Sequence, residues 1–190
     1  MHNSVKILTI CLFFSLNAHA GIFDKTLIRS DLRVLEFNDF AEDYLGKASE
    51  IRIWGKKKKQ TLQISYEPYN IASLEYGAPS LMFVTKHIDT YIDHIQKYLK
   101  WEAIATENKD AFGKDIGKAK SIAAVSHKYS FWSGNTTNHY LNIETCVFVS
   151  CGDGGGTFYF DLENTLILLN LLNEFKAGNL PAPDVSNKYN

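Results

Sequence analysis

Two kinds of periodicity take turns along this chain, and their order leaves few folds open. Ile51 and Ile53 flank Arg52, and Leu62, Ile64 and Tyr66 alternate with Gln63 and Ser65. Successive strand side chains point to opposite faces, so this is the pattern of strands wetted on one side. Gly55 and the lysines between the two stretches predict a hairpin. Further strands are expected over 71–75 and 81–84, bounded by Pro68, Gly77 and Pro79. Residues 31–44 carry a mixed pattern, compatible with a strand or a short helix.

The longer period takes over after Thr85, a residue able to cap a helix. Ile88, Ile92, Ile95 and Leu99 fall on one helical face, widened by Tyr91 and Tyr98, with Asp89, Asp93, Gln96, Lys97 and Lys100 left to water. The spacing predicts a helix to about residue 107, after which Gly113 and Gly117 read as a polar connection. A strand over 121–132, a turn at Ser133, Gly134 and Asn135, and a strand over 140–149 follow. A glycine-rich loop, 152–156, leads to a last strand over 157–160. Asp161 then caps a second helix, 162–177, which Gly178 stops. That helix is apolar round most of its circumference but is too short to cross a bilayer and is interrupted by Asn170 and Asn173, so it is read as a core helix. The order strands, helix, strands, helix predicts an α+β fold: an antiparallel sheet with two helices packed on one face. Residues 21–178 are expected to form one globular domain. Residues 179–190, with Pro181 and Pro183, are expected to be a flexible tail.

The first twenty residues have a different character. Lys6 is followed by an apolar stretch from Ile7 to Leu16, then by Asn17, Ala18, His19 and Ala20. A charged start, an apolar run and small residues at an Ala-x-Ala exit predict a signal peptide cleaved between Ala20 and Gly21. Cys11 belongs to that apolar run and is discarded with it. The expected location is the periplasm or the cell exterior, with no membrane span after cleavage. Removing Lys6 leaves 19 basic residues against 21 acidic ones, which argues against a nucleic-acid partner.

Cys146 and Cys151 then remain, and in an oxidising compartment two cysteines pair. A fully extended chain would hold their α-carbons about 16 Å apart, whereas a disulfide tolerates at most about 7 Å. The bridge therefore requires a turn within 147–150, and its role is to pin the glycine-rich loop beyond.

No motif names a reaction or a cofactor. Cys151 with His139 or His127 as base and Asp153 as orienting acid has the residue types of a thiol hydrolase, but no spacing that brings them together. His127, His139, Cys146 and Cys151 match no zinc-ligand spacing. There is no Gly-x-Ser-x-Gly and no phosphate loop. Lys56, Lys57, Lys58 and Lys59 form a basic hairpin tip suited to an anionic envelope polymer, or simply to solvent. Trp54 adjoins that tip, and Trp132, His139 and Tyr140 flank the later turn; aromatics beside charge are favoured at protein interfaces. The reading is an exported, non-catalytic protein that binds another protein, as an inhibitor, an immunity-type factor or an envelope accessory would. A small exported hydrolase near Cys151 and a binder of an anionic polymer are the alternatives.

Overall fold

The computed structural model describes residues 26–56, 59–68, 78–148, 150–151 and 156–180. The proposed signal peptide, the stretch 71–75, Lys57, Lys58, Asp153 and the tail from 181 onward lie outside them. Antiparallel sheet dominates, with two helices. The strands are β1 (Thr26–Ile28), β2 (Arg33–Asn38), β3 (Asp43–Trp54), β4 (Thr61–Tyr66), β5 (Ser80–Val84), β6 (Gly113–Lys120), β7 (Val125–Ser133), β8 (His139–Val147), β9 (Ser150–Cys151) and β10 (Thr157–Phe160); helix α1 (Ile88–Asn108) follows β5 and α2 (Leu162–Ala177) follows β10. The sheet order is β5-β4-β3-β2-β10-β8-β7-β6, with β1 beside β3 and β9 beside β8. Strands thus outnumber helices more heavily than the sequence pattern implies.

The mixed stretch before Tyr44 is the β2–β3 hairpin. β3 is a single strand in which residues 43–48 pair with β2, while residues 49–54 pair with β4 and residues 51–53 also with β1. The expected polar connection at Gly113 and Gly117 is instead β6, an edge strand. Its glycines, lysines and aspartate conceal it, because only Ile116 and Ala119 are buried. Gly117 lets the helix approach: a Cβ there would meet the His94 ring at 2.5 Å. The start of α1 also differs from expectation. A single 3-10 turn, Thr85–His87, precedes it, and no side chain caps it. The Thr85 hydroxyl donates across to Gln60 O at 3.4 Å. At α2 the expected signals operate: the Asp161 carboxylate accepts from Asn164 N, and Gly178 closes the helix at φ 75°.

Tyr91, Ile95 and Tyr98 of α1 are fully buried, as are Leu168 and Leu172 of α2. They join Ile51, Leu62, Ile64, Leu81, Phe83, Tyr129, Phe131, Leu141, Ile143, Phe158 and Phe160 in one core. The helices run antiparallel, with Lys176 Nζ 2.6 Å from Asp89.

The sheet's two edges come together over α1. Tyr91 OH donates to Lys120 O of β6 at 2.5 Å and accepts from Val84 N of β5 at 3.4 Å. Met82 N donates to His127 Nε2 at 3.5 Å, while the Ser121 hydroxyl donates to Met82 O. Thr145 donates to Ser80 O at 3.4 Å. Side chains therefore satisfy backbone groups that an edge strand would otherwise present to other chains.

Candidate functional site

His127, Tyr129 and Phe131 of β7 turn to the helices, so Ser130 and Trp132 turn to the opposite, helix-free side. The register carries this side across the sheet. Trp132 lies opposite Tyr140, Asn142 opposite Tyr159, Tyr159 opposite Leu35, and Phe37 opposite Tyr44. Five aromatic rings from five strands thereby share one face. Tyr44 is the hub, its centroid 5.3 Å from Phe37, 5.9 Å from Trp132, 4.8 Å from Tyr140 and 5.3 Å from Tyr159. Trp132 also meets Tyr140 at 5.7 Å and Tyr159 at 5.9 Å. β3 and β7 are four strands apart, about 19 Å in a flat sheet. The rings touch across that interval by leaning together over the strands between them.

The phenols are held neutral. Burial first, then Tyr159 and Tyr140, push the Tyr44 hydroxyl up to about 12. Burial also raises Tyr140, with help from Asp43 and Asp161, and raises Tyr159, with help from Glu144. Asn142 sits among them nearly buried; its Nδ2 donates to Glu144 at 3.4 Å, but its Oδ1 has no donor among the described residues. The face therefore offers π surfaces beside carboxylates, with the Asn142 acceptor sealed beneath the rings. Phe37, at 49% exposure, and Trp132, at 37%, remain open to water.

The residues singled out in the sequence divide among several places. Trp132 and Tyr140 belong to this face, although Tyr140 is buried beneath Tyr44 and Trp132. His139 is on the other side of β8, buried against Phe131. Its Nδ1 shares a 2.9 Å hydrogen bond with Ser133 Oγ, which also accepts from Phe112 N at 3.2 Å. The His139 Nε2 is buried with no partner among the described residues, so no carboxylate completes a Ser-His pair there. The geometry is that of a clamp tying β6 to the β7–β8 hairpin.

Trp54 lies at the far end of β3 from Tyr44, about 33 Å away along an extended strand. Its neighbours are the exposed Lys56 and Lys59, joined in a turn by Lys59 N donating to Lys56 O. The basic tip and the aromatic face are separate features.

Cys146 and Cys151 form a disulfide. They reach each other because β9 folds back on β8 and places Cys151 directly opposite Cys146. Phe148 makes the turn at φ 55°, with its ring 76% exposed. Cys151 thus holds no thiol, and the seven-residue separation of His139 from Cys146 along β8 is about 23 Å. His127 faces the core while Cys146 faces the opposite side, and among the described residues no group of three or more His, Cys, Asp or Glu converges as a metal site. No described helix is long and apolar enough to cross a membrane.

Sequence reasoning missed Phe37, Tyr44 and Tyr159. Each is an unremarkable strand aromatic until the order β3-β2-β10-β8-β7 is known. The available signal was alternation alone, which assigns faces within a strand but not between strands. Comparison of the chain with protein-family models, with curated proteins and with solved structures finds no match.

Proposed function

We propose that this protein is exported to the periplasm or cell exterior and acts without catalysis, binding another protein through the helix-free face of its sheet. The observation that carries this reading is the five-ring cluster around Tyr44. Trp and Tyr dominate the energetics of protein interfaces, and a clustered aromatic face supplies contact area at little cost in side-chain entropy. The chemistry of the face selects the partner. Neutral rings attract cations, and Asp43, Asp161 and Glu144 lie close enough to act on the phenols. A protein surface presenting arginine fits both. The leader-like start and the disulfide support the location, since structural disulfides belong to oxidising compartments.

Affinity capture of tagged residues 21–190 from envelope extracts, read by mass spectrometry, tests the reading. Tyr44→Ala and Trp132→Ala should each weaken the captured partner about thirtyfold, near 2 kcal/mol, as central interface residues do. Replacing Lys56, Lys57, Lys58 and Lys59 by Ser should leave capture intact. The reverse pattern, loss only in the lysine variant, would transfer function to the basic tip and an anionic envelope polymer.

A further inference from the structure

Phe40, at the tip of the β2–β3 hairpin, is fully exposed, the most open of the large apolar side chains among the described residues. The loop that carries it is ordered: Asn38 Oδ1 accepts from Phe40 N at 3.0 Å and from Ala41 N at 2.9 Å. Asp39, Glu42 and Asp43 surround the ring in sequence. It is an apolar knob set in negative charge.

A matching hole lies between the last turns of α1 and the start of β6. Trp101, Ile104, Phe112 and Lys114 line a cleft of ≈ 120 Å³. Phe112 stacks on Phe131 at 4.6 Å, which fixes the cleft's floor to the core, while Ile104 stays 46% exposed at its rim. An enclosed apolar cavity of about 150 Å³ holds a benzene ring; this cleft is somewhat smaller and open to solvent, a size that seats the edge of a phenyl group. Two ammonium groups stand over the Trp101 ring beside it, Lys97 Nζ at 4.9 Å, which also donates to Ile116 O, and Lys114 Nζ at 5.1 Å.

We propose that the hole is filled by the knob of a second copy of this chain: Phe40 seats against Trp101, Ile104 and Phe112, and Asp39 and Glu42 meet Lys97 and Lys114. Size and charge both match, and knob and hole lie at the same end of the molecule. Phe40 is four residues from Tyr44, whose ring meets Trp132, and Phe112 adjoins Gly113, which pairs with Trp132. Two copies meeting at that end can each supply a knob and a hole, which gives a closed pair rather than an open chain. The contact is small, so the pair is weak and governed by protein concentration. This goes beyond the binding function proposed above and shares with it only Asp43, beside the knob.

Sedimentation equilibrium of the chain from Gly21 tests it. The average mass should climb from that of the monomer towards twice that value as concentration rises to roughly millimolar. Phe40→Ser removes a side chain that supports nothing in the fold, so it should fold normally and remain monomeric; Ile104→Asp should do the same. An equimolar mixture of those two variants, which retains one knob-in-hole contact, should regain part of the association. Lys97→Glu with Lys114→Glu should abolish it, and adding Asp39→Lys with Glu42→Lys should restore it. A parent chain that stays monomeric throughout, or a Phe40→Ser variant that associates like the parent, overturns the proposal.

Discussion

His127 shows how much one core residue is asked to do. It is fully buried, its Nε2 accepts from Met82 N, and its Nδ1–H has no partner among the described residues. Around it stand Tyr91 from α1, Phe83 from β5 and, on the next inward position of β7, Tyr129. Burial holds its pKa down at about 4, against 6.5 in the free residue. The unfolded chain therefore takes up a proton that the folded chain refuses. Stability from this residue is complete above pH 6.5 and drains away as the pH falls from there towards 4, a loss of about 3 kcal/mol. Urea titrations across that range should show it, and His127→Gln, which keeps an acceptor but does not titrate, should lack that acid limb. An unchanged pH dependence in the Gln variant would mean that other groups govern the acid limb. The Met82 contact could not be read in the sequence, where His127 is simply a polar residue within a strand. Only the rolled sheet turns it into a brace for another strand's edge.

Among the elements, the β8–β9 turn and β6 mark the two limits of what the sequence discloses. The pairing of Cys146 with Cys151 was legible because the leader-like start led to the expectation of an oxidising compartment, where two cysteines pair, and the short span between them then required a reversal. The conformation of the reversal was not legible, since Val147 and Phe148 have strand propensities and Phe148 nevertheless adopts a positive φ. Replacing both cysteines by Ser should cost roughly 2 kcal/mol by the loop-entropy account for so short a closure. It should also release Phe148 from its bond to Ala124 O, 3.0 Å long in the intact turn. Denaturant unfolding checks the first effect and limited proteolysis within 147–151 the second. β6 fails for the opposite reason. Nearly all of its side chains face water, so hydrophobic periodicity has nothing to report, and its existence depends on β7 offering a partner. By contrast α2 was legible almost to the residue, because Asp161 and Gly178 act locally and need no distant neighbour.

For the molecule as a whole, the sequence implied the class and left the curvature hidden. Alternation specifies that a strand has a wet side and a dry side; it carries no term for how far a sheet rolls. Here β5 and β6 approach until one hydroxyl, that of Tyr91, bonds to both. Tyr91→Phe keeps the ring and removes both bonds. It should cost about 1–3 kcal/mol, as buried groups left without a partner do. Amide hydrogen exchange should accelerate at Val84, which donates to Tyr91, and at Met82, which donates to the neighbouring His127, more than at Phe83 and Leu81, which alternate with them along β5 and turn their amides towards β4. Uniform acceleration across β5 would show that the joint has no independent opening.

That joint also bears on the order in which the chain assembles. β2 to β5 form one meander, and β6, β7, β8 and β10 form another, each built from neighbours close in sequence. The two meanders share one registered pair within the sheet, Tyr159 with Leu35, and otherwise meet through the rings around Tyr44, the two helices and the side chains at the joint. Contacts between sequence neighbours form quickly, and those that close long loops form late. Each meander can therefore organise early, with α1 between them in the chain. Their closure around that helix brings together the longest loops and is the step expected last, and a chain halted before it would expose two unpaired edges at once.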